Sequence, residues 1–166
     1  MRLSDLPPPV ANFYANMPMP EFDSAPWATP QGTRPGQPPG GTRPGALPDA
    51  RVAIVSTAGL HRRDDRKFRG GATDYRIIPS DVDYADLAMS HVSVNFDRSG
   101  FQQDVNIAFP LEHLHALAKS GEIASVAQWH YSFMGATDPV QFEETGAQVA
   151  KLLQDDGVTC ALLIPI

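Results

Sequence analysis

The chain has 166 residues, of which 42% are hydrophobic, and this is the size and composition of one modest globular domain. Its net charge of −6 and pI near 5.2 argue against nucleic acid as the main partner, because phosphate binding needs clustered Lys and Arg. No run reaches the roughly 18 apolar residues of a membrane helix. The start, MRLSDLPPPV, lacks the apolar core of a secretory signal, and the single cysteine, Cys160, cannot form an intramolecular disulfide. These features predict a cytoplasmic protein without a membrane segment.

Residues 1–50 differ in composition from the rest of the chain. They hold 12 of the 16 prolines, and the sequence GTRPG occurs twice between Gln31 and Pro48. Proline removes backbone donors and glycine resists ordering, so this stretch is predicted to be extended or mobile. The aromatic residues between Met1 and Trp27 predict that this part of the chain docks across the domain or across a partner. We therefore expect an irregular Pro/Gly-rich arm over 1–50 and a folded domain over 51–166.

The domain opens with a predicted buried strand, Val52–Val55, which a short loop follows. In α/β proteins the carboxyl end of such a strand is where ligands bind, so Thr57 and His61 are candidate site residues. Gly59 predicts only a turn. The sequence has neither G-x-G-x-x-G nor G-x-x-x-x-G-K-[ST], so no nucleotide cofactor is predicted.

Next come a charged loop and a second strand. Residues 64–74 are charged and Gly-rich, and the basic cluster around them is interrupted by acidic residues, which predicts a solvated loop. Tyr75–Ile78 predicts a short strand that Pro79 ends. Ser80–Asp83 predicts one helix cap and one solvated aspartate.

The stretch Ser90–Pro110 contains two short apolar runs with strand-like alternation, separated by a polar connector. The second run, Val105–Phe109, ends at Pro110. The residues alone are compatible with a hairpin or loop held by Asx turns, or with a site that orients a small polar ligand. The polar positions are His91, Ser93, Asn95, Asp97, Asp104 and Asn106.

The remaining chain alternates helices with strands. Leu111–Lys119 has helical spacing, and Gly121 is predicted to end that helix. His113 and His115 cannot share one helix face, so they are predicted to be surface residues, and no metal site is predicted.

His130 is either a core histidine or a functional one. A second helix is predicted to begin at Asp138–Pro139 and to end at Gly157. A buried strand over Val158–Ile164 is predicted to follow it, with Cys160 as a small buried side chain.

Together these elements predict an α/β fold with a short, mainly parallel sheet and flanking helices. The ordered region ends on a strand, whereas a doubly wound sheet normally continues with another helix and strand. The sequence therefore predicts an incomplete Rossmann-like unit, the amino-terminal part of something larger.

Several motifs, in order, resemble the selenoprotein B family. They are Ser90–Ser93, Asp97–Arg98, Asp104–Asn106, Phe109–Pro110 and His130–Gly135, and the similarity extends over roughly Val52 to Ile166. Members of that family are substrate-binding subunits of the glycine, sarcosine, betaine and D-proline reductases.

The resemblance implies reductive C–N cleavage of a small amino compound. In the family a selenocysteine that follows the last strand attacks the substrate, and thiol or selenol electron-carrier proteins supply the electrons. This sequence has no selenocysteine and no cysteine after that strand. The resemblance implies no cofactor, and it implies a homo- or hetero-oligomer.

Although the selenocysteine is missing, the sequence contains the residues that the resemblance implies for substrate binding. His91 and His130 are expected to act as proton or hydrogen-bond partners of the substrate. Asp104 and Asn106 are expected to fix its amino group or the local loops. The other expected substrate-binding residues are Ser90, Ser93, Asp97, Ser132, Gly135, Thr57 and His61.

Two further expectations concern the whole protein. The first is that the chain is truncated at a recoded UGA, with selenocysteine at position 167. Alternatively, a second gene product supplies the missing half with a cysteine. The second expectation is a different function: a non-catalytic partner subunit, whose exposed strand edge another polypeptide completes.

Overall fold

The computed structural model describes residues 7–9, 12, 47–93 and 99–166, and the residues from 47 onward belong to one compact unit. The arm predicted for residues 1–50 lies almost wholly outside the described residues and stays a prediction. No described helix is both long enough and apolar enough to cross a membrane.

One mainly parallel sheet forms the centre of the unit, as the sequence predicts. Strand β1 (Arg51–Ser56) lies in the middle because its apolar run is buried on both faces. On one side β1 pairs in parallel with β7, and on the other side with β5 and then β6. Strand β3 pairs antiparallel with β6, and β2 and β4 form a separate antiparallel ribbon. Their bounds are β2 Leu60–Arg62, β3 Arg76–Pro79, β4 Leu87–Met89, β5 Ser125–Val126, β6 Trp129–Ser132 and β7 Cys160–Ile164.

Within the described residues from 47 onward, three α-helices and four 3-10 segments accompany the strands. The helices are α1 (Ser99–Gln103), α2 (Leu111–Ser120) and α3 (Glu143–Asp155). Gly121 ends α2 with a φ of 78°, as predicted. The second predicted helix begins as a 3-10 turn that Asp138 caps, and continues as α3. The 3-10 segments are Leu47–Asp49, Tyr84–Asp86, Val105–Ile107 and Pro139–Phe142.

The helices cover opposite faces of the sheet. Ile54 faces a core that includes Leu111 and Leu114 of α2. Its neighbour Val55 packs against a second hydrophobic core, which includes Tyr131 and Val149 of α3. Successive strand residues point to opposite faces, so the two clusters are the two sides of one sheet. This arrangement is α/β, but the few helices and the antiparallel β3 do not establish a Rossmann-like unit.

The predicted strand over Val105–Phe109 is wrong. Residues Val105–Ile107 form a 3-10 turn instead, because the carboxylate of Asp104 accepts the backbone N–H of Asn106 at 2.9 Å and caps it. The turn buries Phe109 and leaves Ile107 exposed. Of the first apolar run, residues 92 and 93 are in no regular element, and Val94 lies outside the described residues.

The predicted burial of the last strand is also wrong, although its parallel pairing is confirmed. Leu162 is 37% exposed and Leu163 is 69% exposed. Among the described residues no strand pairs with the outer edge of β7 and no helix covers Leu163. Cys160 is half-buried at the start of this strand.

Candidate functional site

The candidate site lies beyond the carboxyl ends of the parallel strands, where α/β proteins bind ligands. Thr57 follows β1, Gly135 follows β6 and Ile166 follows β7. The N–H of Gly135 donates to the carbonyl of Thr57 at 2.8 Å, and the N–H of Thr57 donates to the carbonyl of Ile164 at 3.0 Å. Backbone bonds therefore bring three separate segments together at one point.

Thr57 holds the end of β7 with its side chain. Its hydroxyl oxygen accepts the N–H of Ile166 at 2.8 Å and donates to the Ile166 carbonyl at 3.2 Å. A threonine hydroxyl can do both at once because it is a donor and an acceptor. Thr57 therefore fixes where the chain leaves the sheet.

His91 faces the same point from the loop after β4. Its side chain is buried, and its Nδ1 accepts the N–H of Ser93 at 3.2 Å. In the neutral ring the proton is then on Nε2. A Cβ placed on Gly135 would lie 3.0 Å from this Nε2 and 2.8 Å from the Thr57 carbonyl, and it would clash with the Ile166 carbonyl. Position 135 therefore accepts only glycine without movement of its neighbours.

Gly59 sets the depth at which the His91 loop packs. It has a φ of 66°, and a Cβ there would lie 3.0 Å from the backbone nitrogen of His91. Its carbonyl accepts the N–H of Ser90, and its own N–H donates to the Phe133 carbonyl, both at 2.9 Å. The sequence indicated only a turn here, because a single glycine does not reveal what packs against it.

His61 of β2, which is buried, pairs with the half-buried Ser90 just after β4. Nδ1 of His61 lies 2.6 Å from the carbonyl of Arg62, which can only accept, so this nitrogen carries the proton. Nε2 then accepts the Ser90 hydroxyl at 2.8 Å. Both predicted residues are therefore already partnered within the protein and support the loop that carries His91.

Ser132 occupies a similar supporting position. Its hydroxyl is fully buried and accepts the N–H of Leu60 at 2.8 Å, which ties β6 to β2. Ser56 does the same locally for Ala58 at 3.2 Å, and the sequence gave no indication of that contact.

His130 is fully buried under β1. Its Nδ1 accepts the N–H of Ile54 at 2.9 Å, and its ring stands at 90° to that of Phe109. Within the described part of the chain, nothing lies in hydrogen-bond reach of its Nε2. Burial, together with the nearby His115, lowers the pKa of His130 to about 4. The ring is therefore neutral and supplies a partner for a strand amide. This favours a structural role, and the predicted catalytic role stays a prediction.

Asp104 and Asn106 belong to a different network. Asp104 accepts from the side-chain amide of Asn106 at 3.0 Å, and that amide also donates to Glu112 at 3.0 Å. The hydroxyl of Tyr84 donates to Asn106 at 2.9 Å. These contacts link the 3-10 turn to the start of α2, so they fix local loops, one of the two roles expected for them. Asp97 lies outside the described residues.

No metal centre is evident at this site. Over residues 47–93 and 99–166, no three His, Cys, Asp or Glu side chains are grouped as metal ligands. Of the predicted residues, the structure brings Thr57, His91 and Gly135 together at the carboxyl edge of the sheet, with His91 buried, Thr57 and Gly135 half-buried, and Ser90 in the same loop as His91. We call Thr57, His91 and Gly135 the sheet-edge cluster.

Comparison with known proteins places this cluster in context. The family described as glycine/sarcosine/betaine reductase selenoprotein B matches residues 10–165, nearly the whole chain. The chain belongs to the selenoprotein B family. It is also 37% identical over 120 residues to the D-proline reductase subunit gamma of Acetoanaerobium sticklandii.

That alignment covers 70% of this chain but only 49% of the relative, so the chain spans about half the length of the curated protein it matches. No solved structure matches the chain. Family membership confirms the resemblance seen in the sequence. The name of this relative describes it as one subunit of a reductase.

Proposed function

We propose that this chain is the substrate-binding part of a reductase that cleaves a C–N bond in a small amino compound. The observation that supports this most directly is the sheet-edge cluster. It combines a buried imidazole, a glycine whose backbone approaches that ring closely, and a threonine that fixes the strand end, all at the edge where α/β folds bind ligands. The substrate class is glycine, betaine, sarcosine, proline or a related compound.

His91 has a specific role in this proposal. The amino group of these substrates is an ammonium or a quaternary ammonium, so when the C–N bond breaks the nitrogen keeps the bonding electron pair and leaves as a neutral amine. Nε2 of His91 faces Gly135 and carries a proton in the neutral ring. His91 therefore donates a hydrogen bond to the carboxylate of the substrate, which positions the carbon that is attacked.

The attacking group is proposed to come from outside this sequence. A selenol or thiol would form a bond to the substrate carbon as the amine leaves, and a thiol carrier protein would then reduce that adduct. Cys160 does not fit this role because it lies half-buried at the amino end of β7, opposite the cluster. A residue that follows Ile166, or a second subunit, would place the group beside Thr57.

Substrate binding by the full chain tests this proposal. Glycine, sarcosine, betaine and D-proline are titrated in turn and followed by amide resonances. We expect saturable binding of at least one, with the largest shifts at residues 57, 91 and 135.

The His91→Gln variant should bind about tenfold more weakly, as expected for the loss of one hydrogen bond to a charged group. The matched control is His113→Gln, which changes an exposed histidine on α2. Absence of saturable binding by all four compounds, or equal loss in both variants, would contradict the proposal.

The exposed edge of β7 favours a second candidate, a non-catalytic partner subunit of a heteromeric complex. Ala161, Leu162 and Leu163 are exposed on a strand whose outer edge no described residue pairs. An unpaired apolar edge is a template for strand addition from another chain.

A further inference from the structure

A concave surface lies away from the sheet-edge cluster, in the loop between β2 and β3. The cavity has a volume of about 810 Å³, within the range of small-ligand sites. Its charged lining consists of Arg66, Lys67, Arg69 and Arg76 with a single carboxylate, Asp74. The sequence predicted a solvated loop here, but the loop is built around a buried arginine.

Arg76 gives the loop a fixed shape. It is 4% exposed, and its guanidinium lies 4.3 Å above the centre of the Phe68 ring. Its Nε donates to the carbonyl of Arg66 at 2.8 Å. The far side of the loop is anchored by the hydroxyl of Thr137, which donates to the carbonyl of Ala72 at 3.0 Å. The cations are therefore displayed on a backbone that is held at both sides.

The charges in this cavity are unbalanced. Asp74 is already shared between Arg76 at 2.9 Å and Arg66 at 3.4 Å. In the part of the chain that the structure describes, Lys67 and Arg69 form no ion pair. Positions 62–76 hold six of the 13 Lys and Arg residues and three aspartates, a local charge of +3 in a chain whose net charge is −6. Of these aspartates, Asp64 pairs with Arg62 and Asp65 lies 3.8 Å from Arg76. This concentration of cations is a local feature that attracts anions.

We propose that this cavity binds a small oxyanion that carries at least two negative charges, of the phosphate or dicarboxylate class. Lys67 and Arg69 supply its free cationic donors, and Arg66 contributes the third. Arg76 stays engaged with the loop and acts as a positioning residue. This site is independent of the proposed reductase function.

Titration of the full chain with inorganic phosphate and, separately, with succinate tests the site, at constant ionic strength to remove general screening. Amide resonances report the location. We expect saturable shifts centred on residues 66–76, and the tighter of the two anions identifies the class of the ligand.

Two variants that remove the same charge complete the test. Lys67→Ala/Arg69→Ala should weaken binding by about tenfold or more, since each lost charge contact costs on the order of 1 kcal/mol. Lys119→Ala/Lys151→Ala removes two exposed lysines from helices elsewhere and should change the affinity less than twofold by the same reasoning. Linear, unsaturable shifts with both anions, or equal weakening in the two variants, would overturn the proposal.

Discussion

At the scale of single residues, Gly135 is the most tightly constrained position in the candidate site. Replacement by alanine would press a methyl group against two backbone carbonyls, those of Thr57 and Ile166, and backbone cannot move aside as a flexible side chain can. We expect Gly135→Ala to lower the free energy of unfolding by about 1–3 kcal/mol, the usual cost of overpacking. Urea unfolding of the variant and of the parent protein measures this difference in free energy.

Gly146 offers the matched control. It lies within α3 and has no atom within 4 Å of a Cβ built there, so Gly146→Ala should be neutral or should stabilise the protein by about 0.5–1 kcal/mol. Equal effects of the two substitutions would show that position 135 is not sterically closed.

His130 gives a second prediction at this scale, and it separates the structural role from the catalytic one. A neutral histidine with its pKa lowered from 6.5 to about 4 binds a proton less readily when folded than when unfolded. Its contribution to stability is complete above pH 6.5 and declines by about 3 kcal/mol as the pH falls to 4.

Urea unfolding gives the free energy of unfolding at each pH, and its decrease from pH 6.5 to pH 4 should be smaller in His130→Gln. The control His113→Gln, at an exposed position, should show the same decrease as the parent protein. If His130→Gln instead keeps both the stability and its pH dependence while substrate binding is lost, the catalytic role is correct.

The sequence revealed the chemistry of these residues better than their environment. The motifs around His91 and His130 are visible in the sequence, but it does not show which backbone groups surround each imidazole. Those surroundings depend on β1, whose Ile54 amide donates to His130, and on Gly135, whose backbone packs close to His91.

At the scale of elements, Asp156, which follows α3, ties β1 to the segment that leads into β6. Arg51 of β1 donates to the Asp156 carboxylate at 2.5 Å, and the N–H of Gln128 donates to its other oxygen at 2.8 Å. Desolvation alone would raise the pKa of Asp156, but the Arg51 hydrogen bond and the backbone donors outweigh it and hold the pKa below its ordinary value of 3.8. The carboxylate is therefore a structural clamp.

We expect Asp156→Ala to lower the free energy of unfolding by about 2–4 kcal/mol, since it removes hydrogen bonds to a charged acceptor. Because the folded pKa is depressed, this stabilisation is present above pH 3.8 and is lost as the pH falls through the folded value.

Chemical denaturation at pH 7 and pH 3 measures the effect of Asp156→Ala. Asp155→Ala serves as the control, since Asp155 is the exposed neighbour in α3 and forms no ion pair among the described residues. If Asp155→Ala costs as much as Asp156→Ala, helix electrostatics rather than the clamp explains the loss.

Local sequence patterns predicted most of the helices and strands. The predictions failed where contacts between distant parts of the chain determine the structure. The apolar run of β1 and the glycine that ends α2 are local, and both were predicted correctly. Val105–Phe109 alternates like a strand, but its cap by Asp104 and the burial of Phe109 made it a turn. Arg51 and Asp156 are 105 positions apart, and nothing local indicates that pairing.

At the scale of the whole molecule, the sheet ends at β3 on one side and at β7 on the other. Within the described residues the outer edge of β7 is unpaired, and three of its five residues are exposed. The apolar sequence of β7 is suited to burial on both faces, which is why the sequence predicted a buried strand. The exposed Leu163 lies on the surface that the proposed assembly with another chain would use.

The last prediction follows from that surface. Without a partner, the apolar edge of β7 should drive association of the chain with itself, since unpaired edges pair with other strands. Light scattering after size-exclusion chromatography should give a mass that rises with concentration above the monomer's 18.0 kDa.

Leu163→Glu should restore the monomer by placing a charge on the edge. Val140→Glu places the same charge at a residue that is 76% exposed and lies off the sheet, and it should leave the association unchanged. A parent protein that stays at 18.0 kDa at every concentration, and binds no partner chain, would exclude the β7 edge as an assembly surface.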